Sequence, residues 1–302
     1  MTLFLSKIVR LFVSFLLLFS QNAPQLLSLP LIPNGQEIDL SRFELVWEDE
    51  FTGTELDMTK WNHNWWEVER KGGYWHEDMV DVRDGNLIIT TAYFEEPLPN
   101  YYEDYFASQP NAHTYKPGWY NACITTKGKF EQTYGYYECR AILPASTGMW
   151  SAFWMMNTHV EEVDGSGQDG TEVDIFESMY YKDNWWGAGG AVISGIHYDG
   201  YGEGQQSASI GKWFVNNPYE EYNTYGLEWN EKEYIFYING VETGRLSKGG
   251  VSQNPEYLIL SCEIAGENGV AHADRHGVGK MRMKPGDTAD FIVDYVRVYQ
   301  YK

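Results

Sequence analysis

Disulfide chemistry has little to work with in this chain, which carries three cysteines among 302 residues. Cys123, Cys139 and Cys262 are too few for a stapled scaffold. One pairing stays open, Cys123 with Cys139, if residues 124–130 and 136–143 form a hairpin about Glu131; the alternative is buried thiols that serve as small core residues. Positive charge is also scarce. Lys and Arg total 22 against 43 Asp and Glu, a formal net charge of −21, and that excess repels polyanions over long range. Nucleic acid is thereby excluded as a partner, and an uncharged one is favoured. No long amphipathic pattern of period 3.6 occurs, nor any repeat of fixed period, so neither a parallel α/β fold nor a solenoid fits. Long apolar runs are missing outside the N-terminus. Residues 11–19 are apolar but too short to span a bilayer comfortably. Placed after Lys7 and Arg10, they read as a secretory signal over residues 1–23, with an uncleaved membrane anchor as the alternative. Residues 24–42 read as a linker or processed segment, and 43–302 as one domain.

What the chain does have is apolar and aromatic mass: 43% hydrophobic residues and 16% aromatics, including 12 Trp and 23 Tyr. That is enough for a full core, with large flat rings to spare. From Phe43 onward, short alternating runs are separated by turn residues: Asp84-Gly85, Gly128, Gly135, and Asn239-Gly240. Asn-Gly between two apolar runs predicts a type I′ hairpin. Many strands with regular turns and no helices between them predict an all-β, two-sheet sandwich. Two long connections interrupt the pattern. Residues 93–120, rich in tyrosine and proline, are expected at the rim of a groove with Trp119. Residues 159–170 are acidic and glycine-rich but lack the glycine and closing glutamate of an EF-hand. His272 and His276 have i, i+4 spacing, yet their glycine-rich surroundings are unsuited to a helix, which argues against zinc.

The most informative segment is Thr171-Glu-Val-Asp-Ile-Phe-Glu177. Side chains alternate along a strand, so Glu172 and Asp174 share one face while Val173 and Ile175 share the other. Strict alternation would send Glu177 to the apolar face. One bulged residue near Ile175 and Phe176 would return it to the other acids, and bulges beside active sites re-aim side chains in this way. Three carboxylates above a groove supply the pair that glycoside hydrolysis with retention requires, one ionised to attack the anomeric carbon and one protonated to release the leaving oxygen. A solvated acidic strand face is the bland alternative.

At this segment the chain resembles glycoside hydrolase family 16, in the longer, bulged E-x-D-x-x-E form of its laminarinase-like branch. Gly148-Met-Trp-Ser-Ala-Phe-Trp-Met-Met156 is similar to the family's G-x-W-P-A-F-W-M strand, with Ser151 in place of proline. Trp47-Glu-Asp-Glu-Phe51, Lys60-Trp61, Asp84-Gly-Asn-Leu87, Thr126-Lys-Gly-Lys-Phe130 and Val293-Asp-Tyr-Val-Arg-Val-Tyr-Gln300 follow in the family's order. The resemblance spans about residues 44–300.

The resemblance implies a concanavalin A-like jelly roll with a substrate cleft on its concave sheet. Glu172 would be the nucleophile, Glu177 the general acid/base and Asp174 the acid between them, able to hold Glu177 protonated. Trp150 and Trp154, four apart on one strand face, are candidate sugar-stacking residues, against a core role for one of them. His197 matches a cleft-lining family histidine. The family also implies a structural calcium, with Glu50, Gly85 and Asp294 at the matching positions; the chemistry itself needs no cofactor. The expected activity is that of a secreted, monomeric, endo-acting retaining hydrolase of a neutral β-linked polysaccharide, β-1,3- or mixed-linkage β-glucan. The negative charge disfavours heavily sulfated galactans such as carrageenan. Glucanase relatives commonly read N-L-A-V-G-G where this chain reads Ser261-Cys-Glu-Ile-Ala-Gly266, which keeps a neutral β-galactan open as substrate. The remaining alternatives are a transglycosylase on the same fold and a non-catalytic glycan-binding jelly roll.

Overall fold

Apolar and polar residues alternate along the central strands, and that alternation sorts them into two stacked sheets. The computed structural model describes residues 30–63, 68–101, 114–181, 189–271 and 280–302. The predicted signal (1–23), His272, His276 and part of the 93–120 connection lie outside the described residues.

Among the described residues, one sheet has eight strands. Its central neighbours are, in spatial order, Gln206–Phe214, Ala191–Tyr198, Glu172–Tyr180, Met149–Met156, Glu256–Ile264 and Cys123–Thr125. All are antiparallel. The other sheet has eleven strands and is built around Asn223–Trp229, Gly135–Ile142, the long Ala289–Tyr301 and Asn86–Phe94. Phe153, Met155, Val173, Ile196, Leu258 and Leu260 of the first sheet meet Leu87, Ile89, Tyr225, Leu227, Phe291 and Val293 of the second in one continuous core. The side chains between them, at odd steps along the same strands, therefore point away from the core on the outer face of the eight-stranded sheet. The Asn239-Gly240 turn has both residues at positive φ, 51° and 74°, and joins Tyr234–Ile238 to Val241–Leu246 as a two-residue hairpin. This is the turn the Asn-Gly pair predicts.

Two expectations are corrected. Of the stretch 24–42 read as a linker or processed segment, residues 24–29 lie outside the described residues, and 30–42 pack on the domain. Leu31 pairs with Trp213, with its N–H 2.8 Å from the Lys212 carbonyl, and the Ile38 N–H donates to the Gly240 carbonyl at 2.9 Å. This stretch runs along two edge strands that would otherwise present unpaired backbone. Nor do Cys123 and Cys139 face each other in a hairpin. Cys123 lies in the eight-stranded sheet, while Cys139 pairs with Tyr225 and Val296 in the other. All three cysteines are buried, and Cys139 is a free thiol.

Candidate active site

The strand pairing of Glu172–Tyr180 contains the irregularity that the acid spacing calls for. Against Met149–Met156, Phe176 sits opposite Phe153 and Asp174 opposite Trp154. Ile175 is thus the extra residue, and the register against Ala191–Tyr198 shifts at the same place. Ile175 and Phe176 both enter the core, at 2% and 0% exposure. The bulge consumes the one residue that alternation would have cost, so Glu172, Asp174 and Glu177 all line one cleft of about 1550 Å³ on the outer face of the sheet.

Crowding three acids on a buried face perturbs all of them. Burial, opposed mainly by a hydrogen bond from the Trp150 indole, raises Glu177 to about 7. Burial also raises Glu172, with a hydrogen bond from Tyr201 and the nearby His197 pulling the other way. Asp174 is pushed well above the usual carboxylate range by burial and then by the charges of Glu177 and Glu172. Three acids that titrate against one another cannot all be ionised at neutral pH, so the site holds both a proton donor and a carboxylate.

Trp150 lies in the cleft with its Nε1 2.7 Å from Glu177 Oε1, and Trp154 with its Nε1 3.0 Å from Ser261 Oγ. Each indole is pinned by its N–H and keeps part of its surface in the cleft. His197 also lines it, with Nε2 3.4 Å from Asp174 Oδ2. An atom each of Glu172, Asp174 and His197 falls within 4.8 Å of the others. Trp119 is different. Its short strand, Gly118–Asn121, is buried throughout; Trp119 is 8% exposed and packs edge-on against Tyr93. It is a core residue rather than a groove residue, because its strand pairs within the eleven-stranded sheet, away from the acids. At the calcium positions, the Asp294 carboxylate, the one side chain such a site would use beside the backbone carbonyls of Glu50 and Gly85, is ion-paired with Arg140. The Arg140 guanidinium there competes with a hard cation for that oxygen donor.

Several cleft residues escape sequence reasoning. Tyr201, on the connection after Ala191–Tyr198, donates its hydroxyl to Glu172 Oε2. Gln205 on the same connection reaches His197 Nδ1 at 3.2 Å. Asp199 anchors this loop by accepting the N–H groups of Asp164 and Gly165 at 3.1 and 2.9 Å. No local pattern in the glycine-rich stretch 199–204 marks Tyr201. Glu263 had a signal: it is an acid flanked by Cys262 and Ile264 in a mainly apolar strand, Glu256–Ile264. It lies in the cleft wall beside Arg70 and Lys71. Burial opposes its ionisation, yet the two cations outweigh that and hold it at about 2.

A family model described as the beta-porphyranase A-D, GH16 domain, matches residues 46–301. The chain belongs to glycoside hydrolase family 16. Within this family it is similar to glucan endo-1,3-beta-glucosidase A1 of Niallia circulans, 26% identical over 96% of this chain and 43% of that one. It is also similar to a keratan-sulfate endo-1,4-beta-galactosidase of Sphingobacterium multivorum, 27% identical over 88% of this chain and 57% of that protein. The chain thus spans about half the length of these curated relatives. Among solved structures, the laminarinase catalytic domain of Thermotoga maritima is 25% identical with a TM-score of 0.63, covering 86% of this chain and 99% of that domain. This agreement extends the family's jelly roll to the present chain.

Proposed function

We propose that this chain is an endo-acting retaining hydrolase of a β-linked polysaccharide, most simply a β-1,3- or mixed-linkage β-glucan. The bulge at Ile175 carries the reading, because it sets Glu172, Asp174 and Glu177 on one wall of an open cleft. An open groove suits attack within a polymer. In the first step the Glu172 carboxylate attacks the anomeric carbon while Glu177 gives its proton to the departing glycosidic oxygen. A proton affinity near 7 keeps Glu177 loaded for that step. In the second step Glu177, now ionised, takes a proton from water, which attacks the same carbon and frees Glu172. Burial and the neighbouring acids push Asp174 toward its protonated form, which spares the triad a second negative charge. Trp150 and Trp154 offer ring faces for sugar stacking. The predicted secretion signal and an extracellular polysaccharide belong together, and the chain is proposed to act as a monomer outside the cytoplasm.

A β-galactan is the second reading. It is favoured by Glu263 in the cleft wall, within the segment where glucanase relatives commonly read N-L-A-V-G-G, and by the names of the porphyranase model and the keratan-sulfate galactosidase. A panel of laminarin, barley β-glucan, agarose, porphyran and keratan sulfate separates the two by which polymer shortens. Proton NMR in the first minutes then tests the chemistry: the new reducing end should be the β-anomer. An initial α-anomer would mean that water, not Glu172, attacks.

A further inference from the structure

The turn between the strands Glu69–Arg70 and Gly73–Trp75 sits directly on the strand that carries Glu263. Lys71 adopts a left-handed backbone, φ 51°, and pairs with Ile264 as an isolated bridge. Gly72 donates its N–H to the Ile264 carbonyl at 2.9 Å, and Gly269 donates to the Lys71 carbonyl at 3.0 Å. A Cβ on Gly72 would stand 2.7 Å from the Ala265 carbonyl oxygen, so only glycine permits this approach. The turn is fixed, and its side chains are fixed with it. Arg70 Nε lies 2.6 Å from Glu263 Oε1, and Lys71 Nζ is ion-paired with Glu263 Oε2. The Lys71 ammonium also lies 3.3 Å from the ring centroid of Trp150. That indole donates to Glu177 Oε1 at 2.7 Å.

We propose that Lys71, locked by Glu263 and laid over Trp150, is a positioning residue for Glu177: through the indole it holds the acid/base side chain in place and sets its charge state. The proposal rests on the reading of Glu177 as the acid/base. A cation on an indole face is attracted to the ring and draws electron density from it, making the N–H a stronger donor to a carboxylate. The same cation favours the ionised form of Glu177 directly. The charged and titratable groups around Glu177 are Glu172 and Asp174 on its own strand, His197 on one neighbouring strand and Glu263 beyond the other. Arg70 ends the strand Glu69–Arg70, Lys71 stands on the turn after it, and Tyr201 on the loop above Glu172. Burial dominates in raising Glu177, Lys71 lowers it, and Glu172 and Glu263 raise it. Lys71 and Glu263 therefore act on Glu177 with opposite signs, although they are bonded to each other.

The opposition gives the test. The pH dependence of kcat/KM is measured for the full chain on laminarin, or on whichever panel glycan it shortens, in the wild type, Lys71→Met, Lys71→Arg, Glu263→Gln and Glu177→Gln. The basic limb of Lys71→Met should move up by about 0.5–1 pH unit, that of Glu263→Gln should move down, and Lys71→Arg should restore the wild-type limb. In Lys71→Met, kcat should fall more than KM rises. A parallel carbon-13 NMR titration of the glutamate carboxyls, with the Glu177 signal identified by its loss in Glu177→Gln, should show the same displacements without substrate. Should Lys71→Met not fold, Lys71→Gln should move the limb up in its place while Glu263→Gln still moves it down. A basic limb unmoved in the lysine variants, or moved in the same direction by the lysine and Glu263 substitutions, overturns the proposal. Retained turnover in Glu177→Gln would instead overturn the acid/base assignment on which it rests.

Discussion

Replacing Tyr201 by phenylalanine tests the polar environment of Glu172 with the smallest possible change. The phenol oxygen donates to Glu172 Oε2. Its own ionisation is driven far upward, by burial and then by the charge of Glu172, so it remains a donor throughout the working range. A hydrogen bond to a charged group contributes about 1.5–3 kcal/mol. Tyr201 is 46% exposed, which places the effect at the lower end because water competes for the same carboxylate. About 1.4 kcal/mol corresponds to one pKa unit. The bond favours the ionised form, so its loss should raise the Glu172 pKa by about 1 unit and carry the acid limb of the kcat/KM profile upward with it. Well below that limb, where only a small fraction of the wild-type carboxylate is ionised, kcat/KM should fall about 10-fold. On the plateau the two enzymes should agree within a factor of a few, since a carboxylate relieved of a donor is the better nucleophile. The assay is initial-rate kinetics at closely spaced pH values, with melting temperatures recorded alongside. An acid limb that stays in place in Tyr201→Phe would refute the role of this hydroxyl.

Other outcomes follow from the same geometry. Glu172→Gln and Glu177→Gln should each abolish hydrolysis while leaving circular dichroism and melting temperature near wild type, because each removes a separate chemical role; near-normal turnover in either would remove it from the mechanism. Trp154→Ala should weaken oligosaccharide binding by about 1–3 kcal/mol in calorimetry, whereas Trp119→Ala should cost about 3–5 kcal/mol of folding stability in urea titrations with no selective loss of binding in the folded fraction. Glu256 is fully buried, and burial raises it to about 8. The folded state therefore binds a proton that the unfolded chain has released. Its contribution is complete below about pH 4.5 and is lost at about 1.4 kcal/mol per pH unit as pH rises toward 8. Glu256→Gln should flatten that decline in the unfolding free energy, and an unchanged slope would show that Glu256 is ionised in the fold.

The sandwich was legible in the sequence because strand periodicity and turn chemistry are local. Asn239-Gly240 names its own turn, and the alternation of Val173 and Asp174 names its own faces. The bulge was legible for a related reason: three acids at this spacing can share a face only if one residue is inserted, and Ile175 is that residue. Where local signals fell silent, the reading depended on residues that meet only after folding. Trp119 sits in a tyrosine-rich stretch that reads as a groove rim, yet pairing of its strand with Asn86–Phe94 buries it. Residues 30–42 look like a linker until two edge strands give their backbone partners. Tyr201 and Lys71 carry no motif, and each reaches the acids through a turn whose course is fixed by contacts with chain far away in sequence. The sequence by itself determined which chemistry was on offer, since carboxylate spacing and strand alternation are properties of a few consecutive residues. Only the tertiary structure decided how that chemistry is tuned, because burial, a cation on an indole face and a phenol on a carboxylate are relations between segments that long-range packing brings together.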